Sequence, residues 1–365
     1  MNRMIFHVPF KLDKNPKSAS GLRPNKMIEA FKNIGYEVCV VAGKAKERKE
    51  IVKIVKNNIK DGVKYDFCYS ESSTMPTLLT EKHHLPTIPF LDFDFFKVLK
   101  KNSIPIALFY RDVYWNFDLY KKNVNVTKRV FSKCFYKYDL KMYNKYIDVL
   151  LLPSMKMLDY IPYPIEVPEI YSLPPGCEIK NIEKKQSESV NKLHMLYVGG
   201  ITPPLYDITP LVNSVKDVEG VYLKIICRKN EYEKMEAFYG LEKIENIDVV
   251  HESGEQVSNS FREADVFSIV RGSCEYLSFA MPYKFFEALT WELPIITANG
   301  TVVANFIKEN DIGWVLDNSY GELFKTLSEN KDLIDEKVEN IKKIKKENTW
   351  DSRAEFVVEK LIGLR

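Results

Sequence analysis

The chain has 365 residues, of which 45% are hydrophobic and 28% charged, and its formal net charge at pH 7 is +3. That length is enough for two domains with complete hydrophobic cores. No apolar run approaches the ~18 residues of a membrane span. The apolar start of the chain is too short for a signal peptide, and Pro9 interrupts it. The sequence thus argues against an integral membrane protein and against a secreted one.

Charge is divided unevenly along the chain. Residues 1–170 contain 29 basic and 18 acidic side chains, a net charge of +11, whereas the remainder carries −8. This asymmetry indicates an anionic partner for the first half. The six cysteines are scattered without a CxxC pair, which favours reduced thiols over a disulfide frame or a structural zinc site. We therefore expect a cytoplasmic protein.

The N-terminal segment reads as a βαβ unit. A buried strand is predicted over 3–8, a helix from Pro24 to Ile34, and a second strand over 36–42. Gly21 lies in the loop before the helix, where a glycine lets the backbone approach a ligand or simply makes a turn. Arg23 follows it, and is expected either to meet an acceptor phosphate or to be solvated.

The strand–helix alternation continues, and polar residues follow several strands. After a charged helix over 46–60, strands are predicted over 63–70, 85–90, 104–110 and 147–152. Open α/β sheets bind ligands beyond the carboxyl ends of their strands. Glu71 and Ser72 follow one such strand and Arg111 and Asp112 another, so these four are candidate site residues. A buried Arg111–Asp112 pair is the structural alternative.

Two carboxylates, Asp92 and Asp94, follow the strand predicted over 85–90. An Asp-x-Asp pair suits Mg²⁺ or Mn²⁺, and His83 and His84 are near in sequence. The same two residues fit the cap and first turn of a helix over 95–101. The helix interpretation is favoured, and we expect no bound metal.

The segment over 121–146 is rich in lysine and aromatic residues. Val130, Phe131, Cys134, Phe135 and Tyr138 share one helical face among basic side chains. The pattern resembles a helix that lies on an anionic membrane surface. It also fits an ordinary helix packed on the sheet with a solvated lysine face, and no nucleic-acid-binding module accompanies it.

A proline-rich and then charged stretch over 162–189 is interpreted as a linker. The second domain opens with a strand over 193–198, then Gly199 and Gly200, then a helix from about residue 207, a geometry suited to phosphate approach. Further strands are predicted over 221–227, 247–251 and 266–270. The basic residues that follow two of these strands are candidate diphosphate ligands, namely Arg228, Lys229 and Arg271.

The most informative stretch is Ser278–Thr297, which predicts a loop, a helix and a buried strand. Pro282 suits the first helical turn, and Tyr283 and Lys284 follow. A cation at this end of a helix opposes the macrodipole by ~0.3–1 kcal/mol, a cost that disappears if an anion binds there. Glu287 flanks the same position and either binds sugar hydroxyls or merely pairs with Lys284. Asn299 and Gly300 form a turn after the strand, where backbone N–H groups can reach a ligand.

The pattern from Pro282 to Ile296, P-x-K-x-x-E-A-L-x-x-x-L-P-I-I, resembles the donor-nucleotide motif of GT-B glycosyltransferases, especially glycosyltransferase family 4. The resemblance implies that Glu287 holds the ribose and that nearby basic residues hold the diphosphate. It also implies that Arg111 and Asp112 face the donor sugar or the acceptor as catalytic candidates. Gly200 and Phe279 depart from the family pattern, the first where a basic residue is usual and the second where many members have a glutamate.

The resemblance implies an α/β protein with two Rossmann-like doubly wound domains that face each other across a cleft. An acceptor-binding domain is expected over 1–175, with a C-terminal helix at about 350–365 crossing back onto it, and a nucleotide-sugar-binding domain over 190–348. The expected activity is retaining, metal-independent transfer from a UDP-sugar to a glycan or lipid-linked acceptor, without a cofactor. A GT-B nucleotide-sugar epimerase and a catalytically inactive nucleotide-binding partner are the alternatives.

Overall fold

The computed structural model describes residues 2–14, 16, 19–182, 192–318 and 320–363. The chain divides into two compact units, which comprise residues 1–175 with 350–365, and residues 176–349. Each unit is built on one six-stranded sheet, and all of the strand pairs are parallel. The predicted α/β class with two parallel sheets is confirmed.

The first unit has the strand order β2-β1-β3-β4-β5-β6. Its strands are β1 (Arg3–His7), β2 (Glu37–Val41), β3 (Cys68–Glu71), β4 (Ile106–Phe109), β5 (Val149–Leu152) and β6 (Glu169–Ser172). Its helices include α1 (Ala19–Asn33), α2 (Ala45–Lys60), α3 (Leu91–Lys101), α4 (Asp118–Asn123) and α5 (Val126–Tyr146). The strand order reverses between β1 and β3, which is where such sheets bind ligands.

The second unit has the order β12-β11-β10-β7-β8-β9, with its reversal between β7 and β10. Its strands are β7 (Leu193–Val198), β8 (Val221–Ile226), β9 (Ile247–Val250), β10 (Val266–Ser268), β11 (Ile295–Ala298) and β12 (Gly313–Leu316). Its helices are α6 (Thr209–Val215), α7 (Lys229–Tyr239), α8 (Glu255–Glu263), α9 (Tyr283–Thr290), α10 (Val302–Asn310), α11 (Tyr320–Glu329) and α12 (Asp332–Lys345).

Alternate residues of β7 enter separate hydrophobic clusters on the two faces of the second sheet. Leu193, Met195 and Tyr197 join one cluster, and Leu196 and Val198 join the other. A strand that is covered on both faces is largely apolar, and 193–198 is hydrophobic except at the half-buried His194. The arrangement is that of a doubly wound sheet.

The C-terminal helix α13 (Trp350–Ile362) belongs to the first unit and packs against α1. Asn33 donates to the carboxylate of Asp351 at 3.1 Å. Arg353 Nε donates to the carbonyl of Pro175 at 3.3 Å. Within the described ranges no helix combines the length and apolar character needed to cross a bilayer.

The helix α1 begins at residue 19, five residues earlier than predicted, so Gly21 lies inside a helix and not in a loop. Pro24 lies within α1 and does not begin it. A proline inside a helix removes one backbone hydrogen bond. Arg23 and Pro24 are both buried, and the contacts that bury them offset that loss. Proline favours the first turn of a helix, but here the helix begins five residues earlier and Pro24 lies inside it.

The strand predicted over 85–90 is also wrong, because that stretch forms turns and bends. Pro86 and Pro89 cannot donate ladder hydrogen bonds, which disfavours a strand interior. The segment ends at Phe90, whose φ of +68° is left-handed. Leu85 and Phe90 are exposed, at 54% and 53%.

The stretch interpreted as a linker contains β6, which pairs with β5 at the edge of the first sheet. The residues of β6 are only half-buried, as expected of an edge strand, so their apolar signal is weak. Because prolines lie on both sides of this strand, the composition of the stretch resembled that of a linker. Residues 183–189 of this stretch lie outside the described residues. So do residues 190 and 191 of the domain expected over 190–348, and residues 364 and 365 of the C-terminal helix expected at about 350–365.

Candidate active site

The carboxyl edge of the second sheet brings three of the predicted phosphate ligands together at its reversal point. Gly199 and Gly200 follow β7, and Arg271 follows β10. Arg271 Nε donates to the hydroxyl of Tyr197 at 3.0 Å, and that hydroxyl donates to the carbonyl of Gly200 at 2.6 Å. Burial raises the pKa of Tyr197, so the hydroxyl stays protonated and can donate.

The loop leaves little space for a side chain at either glycine. A Cβ on Gly199 would lie 3.1 Å from a guanidinium nitrogen of Arg271, and one on Gly200 would lie 2.7 Å from the ring of Tyr206. The guanidinium also stands 5.0 Å from the centre of the Tyr206 ring, within the range of a cation–π interaction. These contacts fix the position of a positive charge at the edge of the sheet.

Arg228 and Lys229, after β8, are exposed. Arg228 is the N-cap residue of α7 and pairs with Glu231 at 3.2 Å. The other carboxylate oxygen of Glu231 accepts a hydrogen bond from the backbone N–H of Ile201 at 3.2 Å. Glu231 therefore connects Arg228 to the glycine loop.

A cavity of about 450 Å³ opens beside this loop at the ends of β10, β11 and β12. Arg271, Pro282, Asn299, Gly300 and Thr301 are among its lining residues. Pro282 and Thr301 are the N-cap residues of α9 and α10. Unbonded N–H groups at helix N-termini favour anions, although in α10 the N–H of Val302 already donates to Ser278 and that of Ala304 to Thr301. The cavity thus combines a guanidinium with two helix N-termini, a suitable environment for phosphate groups.

Two carboxylates also line the cavity, Glu275 and Asp317. Carboxylate oxygens accept hydrogen bonds from hydroxyl groups, so these residues suit a polyol such as a sugar. Asn299 accepts a hydrogen bond from Lys308 Nζ at 3.0 Å, which orients its side chain at the rim. Neither Glu275 nor Asp317 is among the site residues predicted from the sequence.

Lys284 and Glu287 are the second and fifth residues of α9 and pair with each other at 2.5 Å. Their side chains are 34% and 24% exposed, and neither residue is among those that line the cavity. Tyr283, and not Pro282, is the first residue of α9. A ribose that bound Glu287 would share the carboxylate with Lys284. The structure thus contains the surface pair that was the alternative interpretation of this motif.

In the first unit, three separately predicted residues form one ion-pair cluster at the ends of β3 and β4. Glu71 is fully buried and accepts from Arg111 at 2.7 Å and from the hydroxyl of Tyr69 at 2.9 Å. Arg23 Nε lies 3.4 Å from the same carboxylate, so the solvated alternative for Arg23 is wrong. Two guanidinium groups thus share one buried carboxylate.

Both arginines of this cluster are held in place by neighbours. Arg23 stacks on the ring of Phe109 at 3.6 Å and donates to the carbonyl of Leu173 at 3.1 Å. Burial lowers the pKa of Arg111, although the charge of Glu71 opposes the effect. A buried Arg111–Asp112 pair was the structural alternative from the sequence, but the salt bridge of Arg111 is with Glu71. Asp112 accepts a hydrogen bond from the backbone N–H of Tyr114 at 2.8 Å.

Asp94 lies in the first turn of α3, whose N-cap residue is Phe90, so neither carboxylate is the predicted cap. Asp92 lies in the same turn and is buried. It accepts from His7 Nε2 at 2.9 Å and from two nitrogens of Arg48 at 2.9 Å. Burial raises the pKa of Asp92, but the hydrogen bond from His7 and the charge of Arg48 outweigh that effect and lower it to about 2. Among the described residues, no three His, Cys, Asp or Glu side chains are arranged to hold a metal ion.

Solved structures resemble this chain along its whole length. WaaG, a glycosyltransferase involved in lipopolysaccharide biosynthesis, is 15% identical with a TM-score of 0.60, covering 99% of this chain and 100% of WaaG. HepE of Anabaena in complex with UDP and glucose is 11% identical with a TM-score of 0.63 and full coverage of both chains. A glycosyltransferase from Rickettsia africae is 13% identical with a TM-score of 0.65, covering 100% of this chain and 98% of that one.

The chain has the GT-B fold. The two parallel six-stranded sheets of this chain correspond to the paired Rossmann-like domains of that fold. No protein-family profile and no curated protein matches the sequence. At these identities the likeness concerns the fold, and the chemistry has to be argued from the site.

Proposed function

We propose that this protein is a glycosyltransferase that transfers a sugar from a UDP-sugar to a glycan or lipid-linked acceptor. The observation that supports it is the convergence of Arg271 and the N-termini of α9 and α10 on one cavity at the carboxyl edge of a Rossmann-like sheet. HepE, which matches the whole chain, was solved with UDP and with UDP-glucose. The second unit is then the donor-binding unit and the first the acceptor-binding unit.

In the proposed reaction the bond between the anomeric carbon and the β-phosphate oxygen breaks, and a bond to an acceptor oxygen forms. UDP leaves with the bonding electron pair, and the acceptor hydroxyl passes its proton to the departing phosphate oxygen. The charge that develops on the diphosphate needs fixed positive groups, which Arg271 and the helix N-termini supply. We propose retention at the anomeric carbon and no metal requirement.

Several further roles belong to this proposal. Glu287 binds the ribose diol, Arg228 and Lys284 assist at the diphosphate, and Glu275 accepts from hydroxyl groups of the donor sugar. The Arg23 and Arg111 cluster supplies positive charge on the acceptor side. A cytoplasmic enzyme of polysaccharide or glycoconjugate biosynthesis at the inner face of a membrane fits the basic first half.

The test is UDP release from a panel of UDP-sugars, each with and without a glycan or lipid-extract acceptor. Release that depends on the acceptor, together with an acceptor that gains the mass of the sugar, supports transfer. A changed donor sugar, or UDP release without an acceptor, would indicate an epimerase instead. Binding of UDP without either reaction would indicate an inactive nucleotide-binding protein.

A further inference from the structure

The long helix α5 packs on the first unit through one face only. The buried residues on that face are Ser132, Tyr136, Asp139, Leu140 and Tyr143. The ring of Tyr136 stacks on Trp115 with the centroids 4.8 Å apart, and its hydroxyl donates to the carbonyl of Thr74 at 2.7 Å. These contacts fix the rotation of the helix and therefore the side chains that it presents to solvent.

The first half of the outward face is apolar. Val126, Val130 and Phe131 are 60%, 59% and 44% exposed, and the ring of Phe131 contacts that of Phe135 with the centroids 4.9 Å apart. Residues that are this apolar are usually buried. A contiguous exposed apolar patch marks an interaction site.

A second element extends this patch. Phe90, at the start of α3, has an exposed ring whose centroid lies 6.2 Å from that of Tyr138 on α5. Its φ of +68° is left-handed, a conformation that is strained for a bulky residue. The strained backbone presents an aromatic ring to solvent beside the exposed half of the helix.

The second half of the outward face is basic. Lys137, Lys141 and Lys145 are exposed at successive turns. They line a recess of about 430 Å³ together with Tyr163 and Glu166, and Lys137 Nζ lies 5.1 Å from the centre of the Tyr163 ring. Residues 121–146 contain seven lysines and one arginine against a single acid, Asp139, and that acid is buried.

We propose that this α5 surface docks on an anionic lipid bilayer. The aromatic and aliphatic half enters the interface between headgroups and acyl chains, and the three lysines contact lipid phosphates. Apolar side chains beside a recess in which three lysines outnumber one exposed acid, Glu166, are complementary to such a surface. The role of this docking rests on the proposed function, because a lipid-linked acceptor would be presented to the enzyme at a bilayer.

The experiment is co-sedimentation of the full chain with phosphatidylcholine vesicles, with and without phosphatidylglycerol. We expect binding that requires phosphatidylglycerol and weakens as salt is raised, because salt screens exposed charges. Binding to neutral vesicles that equals binding to anionic ones would overturn the proposal, as would the absence of binding to either.

Two variants test the two halves of the face. Lys137→Gln/Lys141→Gln/Lys145→Gln should lower the partition coefficient by at least ~10-fold, since each lysine near an anionic surface contributes appreciably. Val130→Ser/Phe131→Ser should lower it by a similar ~10-fold through lost apolar insertion.

The helix α2 of the same unit supplies matched controls. Ile54 is 58% exposed, and Lys46, Lys49 and Lys53 are exposed on the same helix. Lys46→Gln/Lys49→Gln/Lys53→Gln and Ile54→Ser should change vesicle binding by less than about twofold, because this helix lies outside the proposed surface. Equal losses in the control and test variants would overturn the proposal by indicating a non-specific effect of charge or folding.

A parallel titration with UDP separates this inference from the proposed function. All of these variants should bind UDP as the wild type does, because the substituted residues lie in the first unit. Vesicle binding without any UDP binding would refute the proposed function and leave the docking surface intact. UDP binding without vesicle binding would refute the docking surface and leave the proposed function intact.

Discussion

Arg271 donates a hydrogen bond from Nε to the hydroxyl of Tyr197 at 3.0 Å. One residue follows β10 and the other lies in β7, so the bond joins the two strands that flank the reversal point of the second sheet. Because the same hydroxyl donates to the carbonyl of Gly200, the guanidinium and the glycine loop share one support. A positive charge held in this way is pre-organised for an anion.

Removal of that charge should weaken nucleotide binding. We predict that Arg271→Ala lowers the affinity for UDP by ~10- to 100-fold, since a hydrogen bond to a charged group contributes ~1.5–3 kcal/mol. Tyr197→Phe should cost less, because the guanidinium loses its support and keeps its charge. Isothermal titration calorimetry with UDP measures both effects.

The control for that titration is Arg262→Ala, in the same unit. Arg262 lies on α8 and contacts Asn259 and Trp291, and it is not among the residues that line the cavity. It should bind UDP as the wild type does. Wild-type affinity in Arg271→Ala would refute the assigned role of Arg271.

Glu287→Ala should raise the donor KM by one to two orders of magnitude if the carboxylate binds the ribose, a loss of ~1.5–3 kcal/mol. The structure offers a control in Glu339, which pairs with Lys342 at 2.7 Å with the same i,i+3 spacing on the exposed face of α12. Glu339→Ala should leave donor kinetics unchanged. If both variants behave as the wild type, the Lys284–Glu287 pair is only a surface ion pair.

Sugar transfer should persist in EDTA, because positively charged groups of the protein stabilise the negative charge of the diphosphate without a metal ion. The measurement is the rate of acceptor-dependent UDP release before and after chelation, and again after Mg²⁺ or Mn²⁺ is added back. Loss of activity that either ion restores would contradict metal-independent transfer. Asp92 is a poor candidate ligand even then, since His7 and Arg48 already occupy its carboxylate.

Stability should fall as the pH rises from about 4 to about 7 because of Asp139. Burial raises the pKa of this carboxyl from 3.8 to about 7, although hydrogen bonds from Thr77 oppose the effect. The folded chain therefore binds the proton more tightly than the unfolded chain throughout that interval. The free energy of unfolding should decrease across it by an amount on the order of 2–4 kcal/mol.

Asp139→Asn isolates this contribution. The amide oxygen can still accept from the backbone N–H of Thr77, a bond of 2.7 Å in the wild type, and it carries no charge to bury. Urea denaturation at pH 5 and pH 8 should show a smaller pH dependence in this variant than in the wild type. Asp61→Asn, at an exposed position, is the control. Equal pH dependence in Asp139→Asn and wild type would show that Asp139 is not the group responsible.

The sequence predicted the α/β architecture because predicted strands and helices alternate along the chain. The bounds of β7, at 193–198, coincide with the predicted ones. Predictions failed where proline dominated the local signal. Pro24 suggested a helix start but lies inside α1, and the prolines near β6 concealed an edge strand.

The site was less predictable because its contacts join residues that are far apart in sequence. Arg23, Glu71 and Arg111 were each predicted individually, but nothing local indicates that one carboxylate holds two guanidinium groups. Tyr197 gave no signal, because a tyrosine in an apolar strand looks like a core residue until its hydroxyl partners are known. Likewise, the exposed face of α5 depends on which of its faces packs on the rest of the first unit.

The most direct measurement is a crystal structure of the protein with UDP. We predict that the diphosphate binds within hydrogen-bond distance of Arg271, at the N-terminal ends of α9 and α10. UDP bound away from the carboxyl edge of the second sheet, or no binding at saturating UDP, would contradict the proposed donor site.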